Sequence, residues 1–191
     1  MKFCFLIKNF NYFWKDSIAM ILEKLTHIKG VILDVDGVLT DGSIHVNEEG
    51  QQLRTFFVKD GYAIQLAEKM GVPIWVISGG NSAGVRFRLE ALGVKEIHLG
   101  ISNKMELLQK LLLKYHVKVT DLLFMGDDMP DIEVMKTVGF AACPNDAAED
   151  IKQISHYMSP KNGGRGAVRD VLEKLLKLQG KWYVESQIKS V

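Results

Sequence analysis

The sequence predicts an α/β fold, a doubly wound (Rossmann-like) parallel sheet with flanking helices, and three observations carry that expectation. Short β-branched or apolar runs alternate with longer stretches of helical period, the pattern of strands joined by crossover helices. At 191 residues and 47% hydrophobic, the chain is long enough for one sizeable core and short for two. Polar residues stand directly behind several apolar runs, where the strand ends of such sheets gather ligand-binding groups.

Taken in order, a first helix is expected over 17–28 and a first strand over Val31–Leu33. The segment SIHVNEEGQQLRTFFV, residues 43–58, then breaks the alternation. Asn47-Glu48-Glu49-Gly50 supplies turn chemistry between two strand-like runs, so a β-hairpin flap is expected after the first strand. Beyond it the spacing predicts a helix over 61–70, a strand over Ile74–Ile77, a helix over 81–92 and a strand over Glu96–Leu99. A helix over 103–115, a strand over Leu122–Met125, a helix over 130–137 and a strand over Phe140–Ala142 follow. Helices over 147–153 and 165–178 close the alternation. Residues 1–16 read as an N-terminal extension, 17–180 as the domain and 181–191 as a C-terminal tail.

Charge and cysteine content remove several function classes. Lys plus Arg is 24 against 23 for Asp plus Glu, so no basic excess points to nucleic acid or an anionic membrane surface. No run approaches the ~20 apolar residues of a membrane span. Lys8, Asn9 and Asn11 interrupt the apolar start, which argues against a signal peptide. Cys4 and Cys143 form no C-x-x-C pair, and a reducing cytoplasm is the expected compartment. His27, His45, His98, His116 and His156 share no metal-ligand spacing.

The chemistry-bearing residues cluster at the carboxyl ends of three expected strands: Asp34 and Asp36 after VIL, Ser78 after IWVI, and Asp127 with Asp128 after LLFMG. Singly, each has an ordinary structural use as a turn, helix cap or loop. Together, on one edge of one sheet, they form a candidate site. Carboxylates at the edge of a core need a partner, and a hard divalent cation such as Mg2+ suits them. Asp41 begins the hairpin and is expected to shape its turn.

The DVDGVLTDG element, the Ser78-Gly79 pair, Lys104 in GISNK, and GDDMPD at 126–131 resemble the four ordered motifs of the haloacid-dehalogenase-like phosphatases. The resemblance spans roughly residues 29–180 and implies a set of roles. Asp34 would be nucleophile and metal ligand, forming an aspartyl-phosphate that water hydrolyses. Asp36 would protonate the leaving alcohol and later activate water, with its backbone carbonyl on the metal. Asp127 would be the third protein ligand of magnesium. Asp128 would support the site, and Asp131 is either a supporting group or a helix-start acid. Ser78 and the backbone amides after it, Gly79 included, would hold phosphoryl oxygens, and Lys104 would face the nucleophile and phosphoryl group.

The intervals between Asp34 and Ser78, and between Ser78 and Lys104, leave no room for a large cap domain. DVDGVLTDG, the hairpin, FVKDGYAI, GISNK and GGRGAVRDVLEKLL together resemble the capless phosphatases of 3-deoxy-D-manno-octulosonate 8-phosphate (KDO 8-phosphate). That likeness implies magnesium, a role in lipopolysaccharide biosynthesis, and a homotetramer whose tail can reach a neighbouring site. It also places Phe57, Val58, Lys59, Asp60 and Gly61 along the substrate pocket, with Arg88 and Lys104 on substrate anions. Two positions depart from the pattern: Gly80 and Gln65 stand where arginine is common. Arg86, or Arg165 of a neighbour, is a candidate replacement. Another nonulosonic or sugar-acid phosphate is therefore an alternative substrate, and a non-catalytic subunit of a sugar-activating assembly is the non-enzyme alternative. Met129 and Met135 are expected in packing, and Gly163, Gly164 and Gly166 as a hinge for the tail.

Overall fold

The computed structural model describes residues 23–182, so the expectations for 1–16 and for most of the tail lie outside the described residues. Its elements begin with helical residues 23–26 (α1) and β1 (Gly30–Leu33). The hairpin strands β2 (His45–Val46) and β3 (Gln52–Leu53) precede α2 (Val58–Lys69) and β4 (Ile74–Ile77). Then come α3 (Ala83–Ala91), β5 (Glu96–His98), α4 (Lys104–Tyr115) and β6 (Leu122–Met125). A 3-10 turn at Met129–Asp131 leads into α5 (Ile132–Thr137), followed by β7 (Phe140–Cys143), α6 (Glu149–Ile154), β8 (Tyr157–Met158) and α7 (Ala167–Leu178).

Six strands form one parallel sheet in the order β5-β4-β1-β6-β7-β8. The first strand lies inside the sheet, in register Val31↔Ile74 on one side and Val31↔Leu123 on the other. Side chains alternate between two apolar layers, as a sheet covered on both faces requires. Val31, Leu33, Ile74 and Val76 face α2, α3 and α7, whereas Ile32, Trp75, Ile77 and Phe124 face α4, α5 and α6. The last helix buries Val168, Val171, Leu172, Leu175 and Leu176 to 2% exposure or less. Burial of each such side chain contributes about 1.5–3 kcal/mol, which fastens the end of the described chain to the core.

Local chemistry sets the helix starts. Ser82 caps α3 by accepting from the Val85 amide at 3.4 Å, and Asn103 caps α4 by accepting from the Glu106 amide at 2.9 Å. The α2 helix starts three residues earlier than its periodicity suggests, at Val58. Pro130 accompanies the tight turn that precedes α5. The short edge strand β8 was not expected; it pairs with β7 through Ala142↔Tyr157.

The hairpin is present but short, with two-residue strands whose residues are all exposed. Its turn is held by Asn47, whose Oδ1 accepts from the Gln51 amide at 2.8 Å. Asp41 shapes its approach as expected, accepting from the Ser43 amide at 3.1 Å. The glycines before α7 do not behave as a hinge. A Cβ on Gly163 would stand 1.8 Å from the Gly37 carbonyl oxygen, and the Gly164 amide donates to the Val38 carbonyl at 3.0 Å. They are small because the loop carrying Asp36 packs directly on their backbone. Met135 is in the core, whereas Met129 is 52% exposed because its turn points outward.

Candidate active site

The three central strands deliver their polar residues to one edge. The Asp34 amide donates to the Met125 carbonyl at 3.0 Å, which ties the end of β1 to the end of β6. The Ser78 amide donates to the His98 carbonyl at 2.9 Å, fixing the end of β4 in the same way. A cavity of about 540 Å³ opens there, lined among others by Asp34, Asp36, Ser78, Gly79, Lys104 and Asp127. Asp34, Ser78 and Lys104 are buried polar side chains at its floor.

Lys104 bridges two carboxylates, with Nζ 2.9 Å from Asp34 Oδ1 and 2.6 Å from Asp131 Oδ1. The second oxygen of Asp131 accepts from the Asp127 amide at 3.1 Å. Asp131 is thus part of the site rather than a simple helix-start acid, and it is 1% exposed. Asp128 points outward and accepts from the Met129 amide at 2.8 Å, capping the 3-10 turn.

Ligand oxygens of Asp34, Asp127 and Asp131 all lie within 4.8 Å of one another. Three carboxylates against one lysine leave an uncompensated negative charge. Burial first, and then the Asp131 charge, push Asp34 up to about 6, although Lys104 opposes them. Burial followed by the charges of Asp34, Asp131 and Asp128 pushes Asp127 up to about 8. Burial alone would lower Lys104, but Asp34 and Asp131 hold it above its ordinary value.

Asp34 Oδ1 accepts no aligned hydrogen bond despite the nearby lysine. Buried, hard carboxylate oxygens clustered around a single lysine are the kind of donor set that Mg2+ takes. The residues present therefore fit a divalent cation at this place, with Asp34 and Asp127 as its side-chain ligands and Asp131 beside them.

Asp36 turns away from that cluster. Its carboxylate receives Arg54 at two points, from Nε at 2.6 Å and from Nη2 at 3.1 Å. Sequence reasoning missed Arg54, which lies on the return limb of the hairpin. No motif marks it, and only the folded hairpin brings it 18 residues back to Asp36. Its guanidinium also occupies the space beside Gly80, where a Cβ would stand 3.3 Å from Arg54 Nη2 and 3.0 Å from Asp36 Oδ2.

The candidates at the start of α2 are placed elsewhere. Asp60 is buried, and its carboxylate accepts from the Gly166 amide at 3.3 Å and the Arg169 amide at 2.6 Å. It caps α7, whose own preceding residue is a glycine, instead of lining the cavity. Phe57 lies against Gly166, and Gly61 lies under the Arg88 guanidinium, 2.7 Å from where its Cβ would be. Val58 is 65% exposed and Lys59 is also exposed. None of these five lines the Asp34 cavity. Arg88 instead lines an adjoining groove of about 750 Å³ between the hairpin and α3.

The candidate replacement cations are also engaged: Arg86 donates to the Ile97 carbonyl at 3.3 Å, and Arg165 pairs with Asp41 at 2.9 Å within the same chain. Histidines contribute no member of the carboxylate cluster; His98 pairs with Glu96 at 2.7 Å, and His156 Nδ1 accepts from the Ala141 amide at 3.0 Å.

Known proteins share this fold. The haloacid dehalogenase-like hydrolase family matches residues 90–172. A 3-deoxy-D-manno-octulosonate 8-phosphate phosphatase from Escherichia coli K12 is 37% identical over 163 residues, covering 85% of this chain and 87% of the relative. The crystal structure of such a phosphatase from Moraxella catarrhalis, in complex with magnesium ion, phosphate ion and KDO, superposes with a TM-score of 0.83. It is 36% identical and the match covers 85% of this chain and 94% of that one. The cobalt-bound Haemophilus influenzae enzyme gives a TM-score of 0.80 at 33% identity, covering 83% and 93%. With that identity over most of both chains, the chain belongs to the 3-deoxy-D-manno-octulosonate 8-phosphate phosphatase family of haloacid dehalogenase-like hydrolases.

Proposed function

We propose that this chain is a magnesium-dependent phosphatase that hydrolyses KDO 8-phosphate to KDO and phosphate, in lipopolysaccharide biosynthesis. The observation that carries this function is Asp34, buried at the end of β1 between Lys104 and the Asp127–Asp131 carboxylates.

When bound, magnesium offsets the repulsion between a phosphate dianion and an attacking carboxylate. Asp34 attacks phosphorus, and the bond from phosphorus to the sugar oxygen breaks. The departing oxygen takes a proton from Asp36. In the second half Asp36 takes a proton from water, which attacks the phosphoryl group on Asp34 and releases inorganic phosphate. Ser78 and the Gly79 amide, which line the cavity, donate to the phosphoryl oxygens, and the Gly80 amide, which donates to Ser78 Oγ at 3.2 Å, orients that hydroxyl. Lys104 holds Asp34 in place and supplies positive charge as the phosphoryl group transfers. Arg88, in the adjoining groove, is the candidate partner for the substrate carboxylate.

Another nonulosonic or sugar-acid phosphate is the alternative substrate, favoured by Gly80 and Gln65 in place of arginines. The proposed assembly is a homotetramer with the C-terminal tail near a neighbour's site; the exposed hairpin residues Ile44, Val46 and Leu53 support a contact between copies and leave their number open to test. No helix among the described residues is long and apolar enough to cross a membrane, and a cytoplasmic enzyme is the proposed setting. Phosphate release over a panel of sugar phosphates with magnesium tests the assignment. KDO 8-phosphate is expected to lead, and equal turnover of neutral sugar phosphates would remove the acidic-sugar reading. Sedimentation tests the tetramer.

A further inference from the structure

We propose that Arg54 is the positioning residue of the catalytic acid: it grips both oxygens of Asp36 and so ties the reaction's proton donor to the hairpin. This rests on the role of Asp36 proposed above. Asp36 stands on a loop after β1 with its side chain 31% exposed, and an aspartate there is free to rotate about two torsions. A general acid must be held within hydrogen-bond reach of the leaving oxygen. The planar guanidinium fork removes that freedom, because two parallel bonds fix a carboxylate plane where one does not. A carboxylate offers about four lone-pair sites, so the fork leaves room for the proton that moves.

Two further observations separate this from a simple anchor. The Arg54 side chain is only 3% exposed, and its Nη1 is buried without a hydrogen-bond partner. A partly buried ion pair with an unsatisfied donor is a poor way to fasten a hairpin, since the buried guanidinium loses water contacts that its partners do not fully replace. Gly80 also keeps the space beside the pair clear, and any side chain there would press on both partners. The arrangement preserves the orientation of Asp36 at a cost in hydrogen bonding.

The test compares leaving groups. A sugar phosphate needs a proton on its departing oxygen, whereas p-nitrophenyl phosphate does not. Arg54→Met is expected to lower kcat on the sugar phosphate by at least about tenfold with KM within about threefold, a part of the 10²–10⁴ that a general acid supplies. The initial burst of nitrophenolate is expected to fall less than about threefold, and in an Asp36→Asn background Arg54→Met is expected to cause no further loss. Arg54→Lys keeps charge without the fork and is expected to recover only part of the rate; it carries the same comparison if the methionine variant melts prematurely. Equal losses on both substrates, additive losses with Asp36→Asn, or a rise in KM alone would overturn the assignment. Failure of the wild-type protein to hydrolyse either ester would instead remove the phosphatase reading itself.

Discussion

Asp127→Asn is expected to stabilise the metal-free protein while removing its response to magnesium. In the metal-free site, burial and then the charges of Asp34, Asp131 and Asp128 push Asp127 from 3.8 up to about 8. A raised carboxylate contributes stability that is complete below the unfolded value and is lost as pH rises through the folded one. The full shift corresponds to roughly 6 kcal/mol at pH above 8, and solvent and relaxation in a partly open cluster reduce it to about 2–4 kcal/mol. Asparagine carries no charge, so the variant is expected to melt roughly 5–12 °C above wild type at pH 8 without metal. The gap should narrow as pH falls toward 4 and close below 3.8, where Asp127 is protonated in both states. Magnesium at 100 times its Kd should raise wild-type stability by about 2.7 kcal/mol and leave the variant nearly unmoved. Thermal melts at pH 5, 6.5 and 8, with and without magnesium chloride, provide the comparison. A variant less stable than wild type at pH 8 without metal, or one that gains equally from magnesium, would refute the electrostatic account of the cluster.

Asp60→Ala strips the acceptor from the Gly166 and Arg169 amides and is expected to cost about 1–2 kcal/mol, read as a lower urea midpoint at unchanged m. Burial raises Asp60 to about 6, so this site's contribution to stability should weaken from pH 4 to above 6, and the slope should disappear in Asp60→Asn. Lys104→Met removes the cation between Asp34 and Asp131 and is expected to reduce kcat by roughly 10²–10³, measured by phosphate release at saturating magnesium. Gly37→Ala is expected to weaken magnesium binding in a calorimetric titration, because at φ +85° its Cβ would fall 1.9 Å from Asp127 Oδ2.

The central sheet was legible because its signal is repetitive. Five apolar runs sit between helices of the right length, and the strands Ile74–Ile77 and Leu122–Met125 fall where the sequence puts them. What it misses is short. Tyr157–Met158 has too few residues for periodicity to register and becomes a strand only because β7 offers an edge. The hairpin has the opposite problem: its turn residues announce it, but its four strand residues are all exposed and gain little from burial, and only two residues on each side pair. Glycines 163 and 164 carry no periodic signal, and flexibility and close approach look alike in sequence. Contact with the loop after Asp36 distinguishes the two.

The site divides along the same physical line. Asp34, Ser78, Lys104 and Asp127 are each attached to the end of a sheet strand or the start of a capped helix, so sequence order alone places them on one edge. Asp131 is decided by a turn. Three residues of 3-10 helix swing its carboxylate back to the Asp127 amide, while Asp128, one residue after Asp127, faces solvent. Arg54 and Asp60 depend on contacts that no local pattern encodes: one comes from the hairpin to an acid 18 residues earlier, the other reaches a helix 106 residues later. Residues next to a motif can therefore be structural, as Asp60 is, while a residue outside every motif can bind a motif carboxylate, as Arg54 binds Asp36. Charge balance exposes the difference, since a buried carboxylate must be answered by a donor. Following each acid to its partner leads from Asp36 to Arg54 and from Asp60 to α7, and leaves Asp34, Asp127 and Asp131 sharing the single charge of Lys104, the excess that a divalent cation would offset.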